Sequence, residues 1–212
     1  MLDLIPHVLR EVAPGEKIIA GPFLLAPYPD NGCGDASAPS SINPCAAFLF
    51  KCRDHIGVKF AAAGRLPKNA ARCDNEKTWT TGDVIEFFIQ AEGRDDYYEF
   101  HLTPEGIRLQ LHLPHYSLLR KVPFENKICD CGLAAKTLSL SDDLWVGEMR
   151  VPFASLSENG EEGMGEAKYC VSRYYYVNAL EIEYSSYPPL PARGYHNPPC
   201  WACLKKCGES PR

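Results

Sequence analysis

The sequence has 212 residues, of which 45% are hydrophobic, and it carries a formal net charge of −5 with a pI near 5.7. This length and apolar content suffice for a sizeable core, so we expect one domain over residues 1–212. An acidic chain lacks the basic surface that nucleic-acid binding needs, and no apolar run approaches the ~20 residues of a membrane span. We therefore expect neither a nucleic acid nor a membrane as partner.

The first residues, MLDLIPHVLREVAPGEK, lack the basic-then-apolar pattern of a secretory signal. As it stands, the sequence predicts a cytoplasmic protein. An extracytoplasmic location is the alternative if a leader was removed. The same residues allow one short helix over Leu2–Val12, which Pro6 and Pro14 limit in length.

The first half of the chain reads as strands, a polar loop and one long excursion. A strand is predicted over Lys17–Leu25 and a hairpin over residues 45–64, with a loop of turn-forming residues over Asn31–Pro44. Leu66–Gly82 has no strand pattern. Loops of this length inside a compact domain are often binding loops.

Three strands then follow in tight order, over Asp83–Gln90, Asp96–Leu102 and Gly106–Leu113. The turns between them contain glycine at hairpin length, so we predict an antiparallel meander. In the third strand apolar and polar residues alternate strictly, which predicts one dry and one wet face.

Further strands are predicted over residues 133–140, 144–152, 167–177 and 200–207, with one helical turn at Phe153–Leu156. About ten short strands with turn signals and no alternation with helices are typical of a sandwich. We therefore expect an all-β, antiparallel, jelly-roll-like β-sandwich with few short helical turns. Within it, Trp145 alternates with apolar neighbours and is predicted to lie in the core.

The ten cysteines leave three interpretations open: reduced buried thiols, disulfides, or metal ligands. A tetrahedral zinc site would need two cysteine clusters to meet. The candidates are Cys129, Cys131, Cys200, Cys203 and Cys207. Their spacing is not that of a familiar zinc ribbon or finger.

Catalytic motifs are weak in this sequence. It contains no Gly-x-Ser-x-Gly elbow. Four carboxylates on predicted strands could supply a glycosidase pair: Asp83, Glu86, Glu99 and Glu148. Carboxylates on strand faces are more often solvated, so we expect a protein that is not an enzyme. A glycosidase and a zinc hydrolase are the enzymatic alternatives.

Aromatic residues give the stronger functional signal. The chain has 11 tyrosines, 9 phenylalanines and 3 tryptophans. Trp79 has polar neighbours and lies in the long excursion, so we predict that it is exposed. An exposed indole offers a flat apolar face and an N–H donor. Sugar rings present flat C–H faces rimmed by hydroxyls, so an aromatic ring beside carboxylates, amides or arginine suits carbohydrate.

Four stretches together resemble family 9 carbohydrate-binding modules and their wider relatives. They match the family's tryptophan-led strand, its Tyr-x-Phe hairpin, its strand leading into a Pro-Phe turn, and its terminal aromatic strand. The stretches are TWTTGDVIEFFIQ, YYEFHLTPEG, WVGEMRVPFASL and GYHNPPCWACLKK. The resemblance covers roughly residues 48–206 and implies a non-catalytic β-sandwich that binds oligo- or polysaccharide.

The resemblance also implies site residues. Trp79 and Tyr195 fall where the family has two aromatic rings that clamp a terminal sugar, and Glu86 falls on a polar sugar contact. Glu99 and His101 replace an arginine and an asparagine of the best-known members. The missing positive charge could come from Arg173 on another strand. Trp201 corresponds to a buried phenylalanine.

These departures leave the sugar unidentified, since Glu99 in place of a cationic donor changes the hydrogen-bonding pattern. No cofactor is required, although the family can hold structural calcium, whose ligands cannot be mapped onto this sequence. The main alternative is a structural or protein-interaction β-sandwich with a degenerate sugar site. A haem-binding sandwich of related shape is a further alternative.

Overall fold

The computed structural model describes residues 12–28, 43–156, 166–191 and 194–204. Its strands are β1 (Lys17–Leu24), β2 (Ala26–Pro27), β3 (Cys45–Lys51), β4 (His55–Ala63), β5 (Val84–Ala91), β6 (Tyr97–Leu102), β7 (Arg108–Leu113), β8 (Ala134–Leu140), β9 (Leu144–Pro152), β10 (Ala167–Tyr176), β11 (Ile182–Tyr187) and β12 (Ala202–Leu204). Nearly all of the predicted helix over Leu2–Val12 and most of the loop over Asn31–Pro44 lie outside the described residues.

Helical structure in the described ranges is confined to single turns. The predicted turn at Phe153–Leu156 is present as α1. Four 3₁₀ turns lie in loops, at Thr78–Thr80, Tyr116–Leu118, Glu125–Lys127 and Pro198–Cys200. Within the same ranges, no helix has both the length and the apolar character that crossing a membrane would take.

The strands form two antiparallel sheets. The first has the order β1-β3-β4-β9-β8, and the second has the order β2-β11-β10-β5-β6-β7, with β12 beside β10. The all-β sandwich and the β5-β6-β7 meander are therefore confirmed. The strands β2 and β11 were not predicted. The two residues of β2 are too few to show an alternating pattern, and the sequence of β11, IEYSSY, is mostly polar.

The main core lies between the two sheets. Alternate residues of the central strands point into it, as the period of two requires. From the first sheet come Leu49, Phe60 and Trp145, and from the second Phe87 and Val171, all buried. Trp145 is fully buried, which confirms its predicted place in the core.

A second apolar cluster covers the outer face of the seven-stranded sheet. Register pairs Leu109 with His101 and Leu111 with Glu99, so the apolar side of β7 lies on the same face as these polar residues. The cluster also includes Trp201, as predicted, with Phe124 packed against it. The alternation predicted for β7 is present, since its leucines are buried and its polar residues are half-buried or exposed. Glu99 and His101 lie on the dry face, because the segments after β7 and before β12 fold over it.

Candidate functional site

Strand register brings three ionisable side chains together on that covered face. Glu86 of β5 lies opposite His101 of β6. Glu99 precedes His101 by two residues and so projects to the same side. On the other flank of β5, Ser172 of β10 lies opposite Glu86. Directly opposed residues on one face of a sheet are close enough for their side chains to interact.

The distances show a connected polar network. His101 Nε2 lies 2.6 Å from Glu99 Oε1 and 3.3 Å from Glu86 Oε1. Ser172 Oγ donates a hydrogen bond of 2.7 Å to Glu86 Oε2. Thr78 Oγ1 lies 2.7 Å from His101 Nδ1. Both ring nitrogens of His101 thus have partners, and its orientation is fixed.

These three residues, which we call the acid–histidine cluster, are buried. Glu86 is 2%, Glu99 3% and His101 0% exposed. Burial is the main cause that raises the pKa of Glu86 to about 7, and the nearby His101 opposes the rise. Burial also raises the pKa of Glu99 and lowers the pKa of His101. The cluster can therefore both donate and accept hydrogen bonds near neutral pH.

A second histidine, His196, approaches the same carboxylates from the segment before β12. Its Nε2 lies 3.9 Å from Glu99 Oε2, and its Nδ1 lies 2.9 Å from the Tyr97 hydroxyl. Glu99 Oε2 is buried and has no hydrogen-bond partner among the described residues. Sequence reasoning missed His196, because an isolated histidine in a loop gives no signal of its own.

Trp79 borders the cluster from the 3₁₀ turn at Thr78–Thr80. Its ring lies edge-to-face with His101 at 5.8 Å and with Phe124 at 5.7 Å between centroids. The Tyr176 hydroxyl donates a hydrogen bond of 2.6 Å to the Trp79 carbonyl and holds the turn in place. Trp79 is half-buried rather than freely exposed.

Tyr195 differs from its prediction as an open stacking ring, since it is only 3% exposed. Its hydroxyl donates a hydrogen bond of 2.9 Å to the Arg173 carbonyl. The Trp201 indole N–H donates one of 2.8 Å to the Tyr195 carbonyl. Because β12 pairs with β10, the preceding segment folds back over the sheet and turns Tyr195 inward. In this structure neither face of its ring is open to a sugar.

Arg173 lies on the wrong face of the sheet for the role assigned to it. Side chains alternate along β10, and Ser172 is the residue that faces Glu86. Arg173 therefore points to the opposite side, where it is 1% exposed and lies over the Tyr175 ring at 4.6 Å. Its Nη1 donates to the Asn43 carbonyl at 3.1 Å. It cannot supply a charge to the acid–histidine cluster.

The other predicted carboxylates have structural partners. Asp83 accepts hydrogen bonds from the backbone N–H groups of Lys68 and Tyr176, which anchors the long excursion to the sheet. Glu148 lies on the first sheet and forms an ion pair with Arg150 at 3.1 Å. Of the four candidates, Glu86 and Glu99 are therefore the two that the fold brings together.

Two groups of described residues have metal-like spacing: the acid–histidine cluster and the set Cys52, Asp54 and His55. All eight described cysteines are free of disulfides. Cys129 and Cys131 lie with their sulfurs 2.7 Å apart. Cys33 and Cys207 fall outside the described residues. Cys207 is one of the five thiolates considered for zinc.

Comparisons with known proteins bear on the fold. The sequence matches no protein-family model and no curated protein. The structure is similar to a protein described as carbohydrate-binding from Bacteroides uniformis, with a TM-score of 0.62 and 16% identity over 76% of this chain and 78% of that one.

It is also similar to a family 9 carbohydrate-binding module from Caldicellulosiruptor kristjanssonii in complex with glucose, with a TM-score of 0.60 and 9% identity over 95% of this chain and 91% of that one. A structure of such a module from the same organism with cellotriose gives a TM-score of 0.54 and 12% identity over 82% and 80% of the two chains. The resemblance to family 9 carbohydrate-binding modules is thereby confirmed at the level of the fold.

Proposed function

We propose that this chain binds carbohydrate, without catalysing its conversion, on the outer face of the seven-stranded sheet beside Trp79. The observation that carries the proposal is the convergence of Glu86, Glu99 and His101 next to an indole ring. The three residues come from two adjacent strands, and His101 contacts both carboxylates and the Trp79 ring. The same fold occurs in family 9 modules whose structures were solved in complex with glucose and with cellotriose.

The chemistry of these groups suits a sugar. Carboxylates accept hydrogen bonds from hydroxyls, and a carboxyl whose pKa lies at about 7 can also donate one. The indole offers its face to the C–H groups of a pyranose. Each aromatic contact adds about 1 kcal/mol, so a site with one such ring binds weakly.

Phe124 is the residue that a sugar has to displace. It packs on Trp79 and lies in the segment that covers the outer face. Tyr195 is buried beneath its neighbours and would support the site rather than stack on the ligand. We therefore assign the stacking surface to Trp79 alone and expect Phe124→Ala to strengthen sugar binding.

The test is a glycan array followed by calorimetry with the best ligand. We expect Trp79→Ala to weaken binding about fivefold, since the one aromatic contact contributes about 1 kcal/mol and about 1.4 kcal/mol is one factor of ten. Tyr116→Ala is the matched control, because Tyr116 is 40% exposed and lies in another 3₁₀ turn. Equal affinities for the Trp79→Ala variant and the wild type would show that the sugar binds elsewhere.

A structural or protein-interaction sandwich is the second candidate. The burial of Tyr195 and of the acid–histidine cluster favours it, because a closed polar network leaves no exposed donors for a ligand. A glycan array on which the wild type and Phe124→Ala both bind nothing would support this candidate.

A further inference from the structure

We propose that Glu86, Glu99, His101 and His196 form a binding site for one divalent transition-metal ion, with zinc as the representative. The proposal does not rest on carbohydrate binding. It concerns four side chains that converge from β5, β6 and the segment before β12, of which the first three have ligand atoms within 4.8 Å of one another.

The candidate ligand atoms of the acid–histidine cluster lie close together. Ser172 donates a hydrogen bond to Glu86 Oε2, and the other carboxylate oxygen, Glu86 Oε1, lies 3.3 Å from His101 Nε2. Zinc–ligand bonds of about 2.0 Å in a tetrahedron place ligand atoms about 3.3 Å apart. Glu99 Oε1 lies 2.6 Å from the same imidazole nitrogen, so these two atoms would have to move about 0.7 Å further apart to bind one ion.

An unpartnered buried oxygen gives the second, independent observation. Glu99 is 3% exposed, and its Oε2 has no hydrogen-bond partner among the described residues. His196 Nε2 lies 3.9 Å from that oxygen and would have to move toward the other three ligands to share an ion with them. A buried carboxylate oxygen without a partner is costly, and a cation would satisfy it.

Both histidines are held through Nδ1, so that Nε2 is the nitrogen that faces the carboxylates. Each has its Nδ1 against a hydroxyl, Thr78 Oγ1 for His101 at 2.7 Å and Tyr97 OH for His196 at 2.9 Å. In metal sites this outer contact fixes the ring and leaves Nε2 for the ion. A divalent ion bound by two carboxylates and two neutral imidazoles gives a buried site with no net charge.

The donor set selects the class of metal. Imidazole nitrogen with carboxylate oxygen suits zinc, cobalt, nickel or iron. Calcium takes 6–8 oxygen ligands, which two carboxylates do not supply. The site therefore differs from the structural calcium that the family resemblance implies.

The experiment measures metal on the full chain without any sugar. After dialysis against EDTA, we expect calorimetric titration with ZnCl₂ to give one tight site, and zinc to raise the melting temperature. Glu99→Gln keeps the shape of the side chain, and His101→Gln keeps a polar side chain of similar reach without the imidazole. Each should weaken zinc binding at least tenfold. His55→Gln, in the other group with metal-like spacing, is the matched control and should leave the affinity unchanged.

Cobalt separates this site from the cysteines. With Co²⁺ we expect weak visible bands and no intense near-ultraviolet thiolate band, since the four proposed ligands contain no sulfur. A strong thiolate band, no retained metal, or equal zinc affinity for Glu99→Gln and the wild type would each overturn the proposal. Zinc binding without any glycan ligand would support the metal site alone, and glycan binding without zinc would support carbohydrate binding alone.

Discussion

Asp96, at the start of the β6 region, is held by two basic side chains. Arg94 donates to both of its carboxylate oxygens, at 2.7 Å from Nε and 2.6 Å from Nη2, and His112 Nε2 contacts the same group. Bidentate arginine–carboxylate pairs are among the stronger hydrogen-bonded ion pairs. The Arg94 hydrogen bonds are the main reason that the pKa of Asp96 falls to about 2.

This lowered pKa predicts an acid-sensitive contribution to stability. A carboxyl that is more acidic in the folded state than its usual 3.8 stabilises the fold above that pH and loses its effect as the pH falls toward 2. Asp96→Asn should therefore lower the free energy of unfolding by about 1 kcal/mol at pH 5, a modest value because the pair is partly solvated. The difference from wild type should shrink between pH 4 and pH 2.

Thermal melts at several pH values measure this effect. One kcal/mol corresponds to a shift of about 2–4 °C in a protein of this size. Asp142→Asn is the control, because Asp142 is exposed, and it should melt with the wild type at every pH. A constant gap between wild type and Asp96→Asn down to pH 2 would contradict the assigned pKa.

At the same scale, the sequence could place some site residues and not others. The period of two puts Glu86, Glu99 and His101 on one face once the meander is recognised. The same period assigns Ser172 and not Arg173 to the neighbouring position, but only when the register of β10 is known. The alternation of a strand does not extend to Tyr195, because this residue lies in a loop. The packing of that loop depends on how β12 pairs.

At the scale of elements, two glycine–phenylalanine pairs join the strands of the first sheet. Gly57 of β4 lies opposite Phe50, and Gly147 of β9 lies opposite Phe60. A Cβ on Gly147 would stand 2.5 Å from the Phe60 ring and 3.0 Å from Leu102. Each ring therefore fills the space above its partner glycine, and the glycine is required by contact rather than by a turn.

Gly147→Ala should accordingly destabilise the protein by about 1–3 kcal/mol, the usual cost of overpacking a core. Phe60 is fully buried against Trp145 and has no room to withdraw. Denaturant unfolding measures the change, and Ser139→Ala on the exposed part of the adjacent strand β8 should have little effect.

A double-mutant cycle tests whether the stability cost of Gly147→Ala arises from the Phe60 ring. In a Phe60→Leu background the Gly147→Ala penalty should fall, since the shorter side chain leaves space for the new methyl group. An unchanged penalty would mean that the cost arises from the backbone of β9 and not from Phe60.

The elements themselves were largely readable from the sequence. Tight glycine turns and strict alternation predicted β5, β6 and β7, and Pro152 pointed to the α-helical turn at Phe153–Leu156. The strand β11 was not predicted from the sequence, because it gains its stability from pairing with β10 rather than from an apolar face of its own. Burial of the outer face was not predicted for a similar reason, since the loops that cover a sheet show no regular alternation of apolar and polar residues.

At the scale of the whole molecule, one core unites the two sheets. Val58 of β4 and Val171 of β10 belong to opposite sheets, are fully buried and lie in the same apolar cluster. Neither sheet can separate without exposing the inner face of the other. The free energy that protects each central strand is therefore the free energy of unfolding the whole sandwich.

Native-state hydrogen exchange tests this cooperativity. The hydrogen-bonded amides of β4 and β10 should exchange with the same free energy and the same dependence on denaturant, because both need global unfolding. The hydrogen-bonded amides of edge strand β8, whose residues are exposed or half-buried, should open locally at lower free energy. If the amides of β10 exchanged with a lower opening free energy than those of β4, the seven-stranded sheet would be a separate unfolding unit. The outer face that carries the acid–histidine cluster could then open without disturbing the first sheet.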